Sequence, residues 1–174
     1  MYIELRNILE PDIPAIRIIV IKIILRHYTK FKSENEIINK LNDLEDMYST
    51  DFNFPGTYYV GAFHNNILIG FISCYMQNNK PYIDEVNIDP DFQNKGVGTI
   101  LINGAIAFYR NKFTSIVLDV DSRNYSAYFL YKKLDFIEIN NDVEKNNITM
   151  EKVFSEYGFN VNLHDETKDI TPYL

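Results

Sequence analysis

The order of strand-like and helix-like segments constrains this chain more than any other feature of its sequence. Alternating apolar residues predict a first strand at residues 2–8, and residues 13–28 and 33–48 then follow the helical period. Together with the later runs and turns, this predicts the order β-α-α-β-β-β-α-β-α-β-β. Strand–helix–strand units require some parallel pairing, whereas hairpins require antiparallel pairing. We therefore expect an α/β fold of the α+β type, with a mixed, mostly antiparallel sheet of about seven strands and helices on both faces.

Short local signals mark the ends of several segments. Ser33 stands three residues before Glu36, the spacing of a capping box, and Asp12 is a candidate N-cap for the preceding helix. Residues 64–66, His-Asn-Asn between two β-rich runs, predict a hairpin. Cys74 within "GFISCYM" is predicted to be a buried strand residue, with a reactive thiol as the less favoured alternative.

The domain organisation predicted from the sequence is simple. A length of 174 residues with 46% hydrophobic content is typical of one domain with a substantial core. We expect one domain over residues 1–154 and a C-terminal extension over residues 155–174. The weak apolar pattern of the extension leaves an added strand, a docked loop and a loose tail open.

Charge and composition argue against several classes of function. A net charge of −7 argues against a broad electrostatic contact with nucleic acid. The single cysteine excludes an internal disulfide, and no Cys or His cluster has the spacing of a metal site. The apolar segment 13–28 is interrupted by Arg17, Lys22 and Arg26, so it predicts an amphipathic helix, with membrane-surface attachment as a minor alternative. Since "MYIELRNIL" does not resemble a secretory signal, we expect a cytoplasmic protein without a membrane or nucleic-acid partner.

The stretch "DPDFQNKGVGTILI", residues 89–102, is compatible with only one of three kinds of phosphate-binding turn. An NTPase loop is excluded because Lys95 precedes the glycines. A dinucleotide fingerprint is excluded because Leu101 stands where the third glycine is needed. What remains is Gln-x-x-Gly-x-Gly between a strand and a helix, where free backbone amides suit a pyrophosphate. Taken alone, a tight structural turn explains this pattern equally well.

Two motifs together resemble a known family. "VNIDPDFQNKGVGTILI" closely resembles the acyl-CoA-binding signature of the GNAT superfamily of N-acetyltransferases, with a Val/Ile-x-Pro step before Gln-x-x-Gly-x-Gly. "NYSAYFLYKKLDF" resembles the second motif of the family, Asn-x-x-Ala-x-x-x-Tyr-x-x-x-Gly-Phe, and departs from it only at Asp135, where the family has glycine. Asp tolerates a left-handed backbone better than most residues, so the helix end can survive. The resemblance covers residues 2 to about 154.

The resemblance implies a site for acetyl-CoA as the acyl donor. The pyrophosphate is then expected on the backbone amides of residues 94–99, and pantetheine along the strand near Ile88, in a V-shaped gap between the fourth and fifth strands. Lys95 either reaches a phosphate or is solvated. The implied donor-binding residues are Ile88, Gln93, Asn94, Lys95, Gly96, Val97, Gly98, Thr99 and Asn124.

The implied reaction is direct attack of a primary amine on the acetyl thioester. Tyr131 occupies the position of the family's acid, which protonates the departing thiolate. Free alkyl amines have a pKa of about 10, so a group must take the ammonium proton. Asp119 borders the gap, and by simple alternation Asp84 shares the face of Ile88 while Glu85 points to the opposite face. Positioning without a strong base is the alternative, since it can supply about 7–11 kcal/mol.

The sequence therefore predicts an acetyl-CoA-dependent N-acetyltransferase of small-molecule or peptide amines. A non-catalytic acyl-CoA-binding regulator and a structural α/β protein with an accidental glycine turn are the alternatives. The acceptor is not identified: the early helices, residues 13–48, and the last hairpin shape the acceptor side in the family. An acidic protein suits cationic acceptors such as polyamines, aminoglycosides or a peptide amine. A homodimer is left open as the assembly.

Overall fold

The computed structural model describes residues 1–47 and 57–154, and within them the predicted order of elements is confirmed. The strands are β1 (Glu4–Asn7), β2 (Tyr58–His64), β3 (Ile67–Gln77), β4 (Lys80–Ile88), β5 (Ser115–Asp121), β6 (Ile137–Asp142) and β7 (Asn147–Val153). The helices are α1 (Ile13–Arg26), α2 (Glu34–Met47), α3 (Val97–Tyr109) and α4 (Tyr125–Lys133). The predicted extension over residues 155–174 lies outside the described residues, as does Tyr48 at the end of the predicted second helix.

The strands form one open sheet in the order β1-β2-β3-β4-β5-β7-β6. β4 and β5 run parallel, whereas all other neighbouring pairs are antiparallel. The prediction of a mixed, mostly antiparallel sheet is confirmed. The hairpin predicted at residues 64–66 is also confirmed, since Asn65 and Asn66 take φ values of 50° and 63° between β2 and β3.

Helices cover both faces of the sheet, as predicted. On one face, Leu101 and Ile102 of α3 pack with Tyr131 of α4 against buried residues of the central strands. Cys74 is fully buried on β3 within this core, which confirms the prediction of a buried strand residue. Burial also raises the pKa of its thiol. On the other face, α1 packs through residues such as Ile16 against Phe71 and its neighbours.

Pairing between β4 and β5 stops early. Tyr82 lies opposite Val117 and Ile83 opposite Leu118, and the rest of β4, as far as Ile88, has no partner on β5. The unpaired half of β4 leads into the glycine turn and α3, while β5 leads into α4. This confirms the predicted gap between the fourth and fifth strands.

A bulge in β4 overturns the simple alternation expected around the carboxylates. Ser73 pairs with Glu85 and the next residue, Cys74, pairs with Ile83, so Asp84 has no partner on β3. The prediction that Asp84 shares the face of Ile88, which packs into the core on the side of α3, is wrong. Lys40 of α2 lies 3.8 Å from the Glu85 carboxylate, and its charge also lowers the pKa of Asp84. Both carboxylates therefore lie on the face that α1 and α2 cover.

The other local signals had mixed outcomes. The Ser33 backbone amide donates to Glu36 at 2.7 Å, and the Glu36 amide donates to the Ser33 hydroxyl at 3.4 Å, which confirms the capping box. Asp12 precedes α1 without capping it, because its carboxylate is instead bound by Arg6 at 2.9 Å. Asp135 takes a left-handed φ of 62°, as the second motif requires.

No described helix is long and apolar enough to span a membrane.

Candidate active site

A cleft of about 400 Å³ opens beside the unpaired half of β4. Its walls come from the end of β4, the turn into α3, one side of α4 and the C-terminal end of α1. All of the predicted donor-binding residues except Lys95 line it, and Tyr131 lines it as well. The fold thus brings together the two motifs that lie more than a helix and a strand apart in the sequence.

The glycine turn exposes backbone amides to this cleft. Gly96 precedes α3 with a φ of 82°, and the amide of Ile100 makes the first helical hydrogen bond, to the Gly96 carbonyl at 3.1 Å. The amides of residues 96–99 therefore have no hydrogen-bond acceptor within the helix. A Cβ on Gly96 would meet no heavy atom within 4 Å, whereas one on Gly98 would lie 3.0 Å from the Leu130 side chain. Gly96 thus leaves open space for an anionic group, and Gly98 allows α3 to approach α4.

The segment between β4 and the glycine turn is held from several sides. The buried Asp89 carboxylate accepts the Asp91 amide at 2.9 Å and the ammonium of Lys22 at 2.7 Å. The Gln93 side chain donates to the carbonyl of Ile88 at 3.2 Å. The Gln93 side chain therefore shapes the turn at the end of β4, in addition to lining the cleft.

Lys95 and Asn124 occupy different positions relative to the cleft. The Lys95 ammonium donates to the Asp91 carbonyl at 3.0 Å and lies 5.0 Å from the centre of the Phe92 ring, outside the cleft lining. Asn124 lines the cleft, and its side-chain oxygen caps α4 by accepting the Ala127 amide at 3.3 Å. The amide group of Asn124 is thus fixed in orientation by the helix that carries Tyr131.

Tyr131 is buried on α4 and shares the cleft with Tyr28. Burial raises the pKa of Tyr131, and the nearby Tyr28 hydroxyl raises it further, so the phenol is protonated at neutral pH. Burial also raises the pKa of Tyr28 to about 12. Sequence reasoning missed Tyr28 and its neighbour His27, which line the cleft from the end of α1. No local motif marks them, because only the packing of α1 against β4 places them there.

The two predicted carboxylates do not line the cleft but flank the start of the gap. Asp84 follows Ile83 and Asp119 follows Leu118, and these two preceding residues are the last paired partners of β4 and β5. Both carboxylates are accessible to solvent. Surrounding protein atoms nevertheless desolvate Asp84 and raise its pKa, partly offset by Lys40.

The side chain of Tyr82 lies beside Asp119. Burial and then the neighbouring Asp119 carboxylate raise the pKa of Tyr82, whose hydroxyl is therefore a hydrogen-bond donor at neutral pH. Tyr75 packs against Tyr82 with ring centres 5.2 Å apart. The side of the gap away from α3 is thus lined by carboxylates and phenols.

Comparisons with known proteins agree with this architecture. The structure resembles the PaiA N-acetyltransferase of Thermoplasma acidophilum in complex with coenzyme A, with a TM-score of 0.74 and 23% identity over 88% of this chain and 100% of that one. It also resembles the ribosomal-protein-S18-alanine N-acetyltransferase of Escherichia coli, with a TM-score of 0.65 and 19% identity over 92% and 99% of the two chains. At these identities the likeness shows a common fold.

The sequence identifies the family. Residues 22–136 match the model of the acetyltransferase (GNAT) family, and the chain therefore belongs to it. An uncharacterized N-acetyltransferase of Methanocaldococcus jannaschii is 37% identical over 78 residues, which are 40% of this chain and 34% of that protein. The match thus spans about a third of the length of that relative. The predicted fold and the predicted membership of the GNAT family are confirmed.

Proposed function

We propose that this chain moves an acetyl group from acetyl-CoA to a primary amine by direct attack. One observation carries the proposal: a single cleft joins the glycine turn, the unpaired edge of β4 and a buried, protonated tyrosine. Amides at the start of α3 suit a pyrophosphate. An unpaired strand edge suits the amide groups of a pantetheine arm, which can pair with it as an added strand does.

The donor residues have distinct roles in this proposal. The amides of residues 96–99 hold the pyrophosphate, and the φ of Gly96 keeps its side of the turn open. Ile88 offers its strand edge to pantetheine, while Gln93 fixes that edge through the Ile88 carbonyl. Asn124 binds the arm from the opposite wall. Lys95 acts at longer range through its charge.

Tyr131 serves as the acid. The amine nitrogen attacks the thioester carbon, the new C–N bond forms, and the C–S bond then breaks with its electron pair on sulfur. The Tyr131 hydroxyl donates its proton to that sulfur. The phenol is protonated at neutral pH, so the proton is present when the sulfur departs.

A carboxylate at the gap takes the proton of the attacking amine, directly or through water. Asp84 is the better supported candidate, because a raised pKa makes its carboxylate a stronger base. Asp119 on the facing strand is the second candidate. Carboxylates and phenols on this side also favour a cationic acceptor, as a small molecule or a peptide amine, since an ammonium group is attracted to both.

A thiol-release assay with acetyl-CoA and a panel of amines tests the proposal. We expect turnover with at least one amine, and a fall in kcat of about 100-fold or more in Tyr131→Phe with the affinity for CoA kept. Tyr128→Phe is the matched control on the same helix, because Tyr128 lies outside the cleft lining and its hydroxyl donates to Glu138 of β6. Binding of CoA without turnover on any amine would instead identify an acyl-CoA-binding regulator.

A further inference from the structure

His27 lies between two cavities without an assigned role. It follows the last residue of α1 and lines the cleft described above as well as an adjoining cavity of about 360 Å³. The adjoining cavity is also lined by Lys30, Phe31, Arg123, Asn124, Tyr125 and Ser126. Because Asn124 and Ser126 line both spaces as well, the imidazole stands at their shared boundary.

One buried atom of the imidazole has no hydrogen-bond partner among the described residues. Protein atoms cover Nε2 of His27, and it makes no hydrogen bond to any residue of ranges 1–47 and 57–154. Buried polar atoms are nearly always paired, since an unpaired one has lost its water without compensation. Because the imidazole also borders the cleft, a molecule that enters the cleft can supply the missing partner.

The position of His27 beside the cleft is fixed by its neighbours. Arg26, the preceding residue, lies 2.7 Å from the Asp91 carboxylate. The His27 amide donates to the Ile23 carbonyl at 2.8 Å and so ends the helix. The Gln93 side chain interacts with the imidazole and also bonds the Ile88 carbonyl at the end of β4. The ring is thus coupled to the turn and to the strand edge together.

The charge state of the ring allows it both to donate and to accept a hydrogen bond. Burial lowers the pKa of His27, and the adjacent cations Lys30 and Arg26 lower it further, against the opposing effect of Gln93. The imidazole is therefore neutral at pH 7, with one nitrogen that donates and one that accepts. The arm of CoA offers phosphate and amide oxygens as acceptors and hydroxyl and amide groups as donors.

We propose that His27 is a donor-binding residue, whose Nε2 turns to the cleft and hydrogen-bonds the pyrophosphate–pantetheine arm when CoA enters. This inference rests on the proposed function, because it takes the cleft to be the CoA site. His27 then closes the cleft from the side of α1, opposite the amides of the glycine turn. It contributes to the affinity for the donor and leaves the chemical step at Tyr131 unchanged.

Calorimetric titration of CoA into His27→Phe tests the inference. Phe keeps the size of the ring and removes both nitrogens, so we expect the Kd for CoA to rise about tenfold, as for one lost hydrogen bond. His27→Gln should recover part of the affinity. His64→Phe is the matched control, because His64 lies on β2 outside both cavities and bonds the Tyr2 carbonyl at 2.8 Å. A Kd within twofold of wild type in a folded His27→Phe overturns the inference.

Nuclear magnetic resonance of the wild-type chain supplies a test that does not depend on a variant's folding. With 15N-labelled histidine, the Nε2 resonance of His27 should shift on saturation with CoA, while that of His64 stays in place. An unchanged His27 resonance at saturation overturns the inference and leaves the proposed function intact. Failure of the wild-type chain to bind CoA contradicts both.

Discussion

The Lys22 ammonium lies 2.7 Å from the Asp89 carboxylate, and this ion pair joins helix α1 to the segment that carries the glycine turn. The same carboxylate accepts the Asp91 amide at 2.9 Å, so it also orders the first residues after β4. Since the Asp89 side chain is only 10% exposed, its charge depends on these partners. One buried carboxylate thus fixes both the turn and the wall of the cleft that faces it.

Replacing Lys22 by Met should therefore destabilise the protein by about 1–2 kcal/mol, because it leaves the Asp89 carboxylate buried without its cation. Arg26→Met is the matched control on the same helix. Its partner, Asp91, is 49% exposed, so we expect a change of less than about 1 kcal/mol. Urea unfolding measures both values. Equal losses in the two variants would show that the burial of Asp89 does not determine the effect.

The left-handed backbone at Asp135 makes a second prediction about stability. With a φ of 62°, Asp135→Gly should be neutral or stabilising, because glycine adopts this conformation without strain. Asp135→Ala should be about 1 kcal/mol less stable than Asp135→Gly, because a Cβ is strained in the left-handed backbone conformation. Thermal and urea unfolding of the pair check the difference. If the Ala variant is as stable as the Gly variant, the strain argument fails.

The glycine turn and the second motif could be predicted from the sequence because both are local. Gly96 and Asp135 each take the left-handed backbone that their motifs require, and the turn residues sit in consecutive order before one helix. The parallel contact between β4 and β5 also followed from the order of the elements. The two motifs depend on residues that are close together in the chain, and the parallel contact depends only on the order of the elements.

The features that could not be predicted depend on contacts between distant segments. The bulge at Asp84 exists only in relation to the register of β3, so the pattern of β4 alone gives the wrong face for Asp84. His27 and Tyr28 enter the cleft because α1 docks on the segment after β4, through Lys22 and Asp89. Nothing in the local sequence of α1 marks its end as part of the site.

The pH dependence of turnover should distinguish the two candidate bases. A base must be deprotonated, so kcat/KM should fall as the pH drops through the raised pKa of Asp84. Asp84→Asn should lower kcat by about 100-fold or more and remove this ionisation, while Asp119→Asn should keep it. A profile that keeps the ionisation in Asp84→Asn and loses it in Asp119→Asn would transfer the role to Asp119. If neither variant changes the profile, positioning alone suffices.

The capping box at the start of α2 should make stability fall in acid. The backbone and hydroxyl of Ser33, followed by Arg123, lower the pKa of Glu36 from its ordinary value of 4.5 to about 2. Because this pKa is depressed, the stabilisation is complete above pH 4.5 and is lost as the pH falls towards about 2. The melting temperature of Glu36→Gln should therefore decrease less steeply across this window than that of wild type.

Glu34→Gln is the control for this measurement, since it removes the same charge from the same helical turn and leaves the Ser33–Glu36 box intact. Its melting temperature should decrease with pH as steeply as that of wild type between pH 4.5 and 2. A Glu36→Gln slope that equals that of Glu34→Gln would show that general charge, and not the box, causes the dependence on pH.

The central claim is that the glycine turn binds the pyrophosphate of CoA, and calorimetric titration of CoA into the wild-type chain and Gly96→Glu tests it most directly. We expect one CoA per wild-type chain and no measurable binding to Gly96→Glu, because a carboxylate then occupies the open space that the phosphates need. Gly96→Ala, which shares the backbone strain without the charge, should retain weaker binding. Equal affinities of wild type and a folded Gly96→Glu, or no binding to wild type, would contradict the claim.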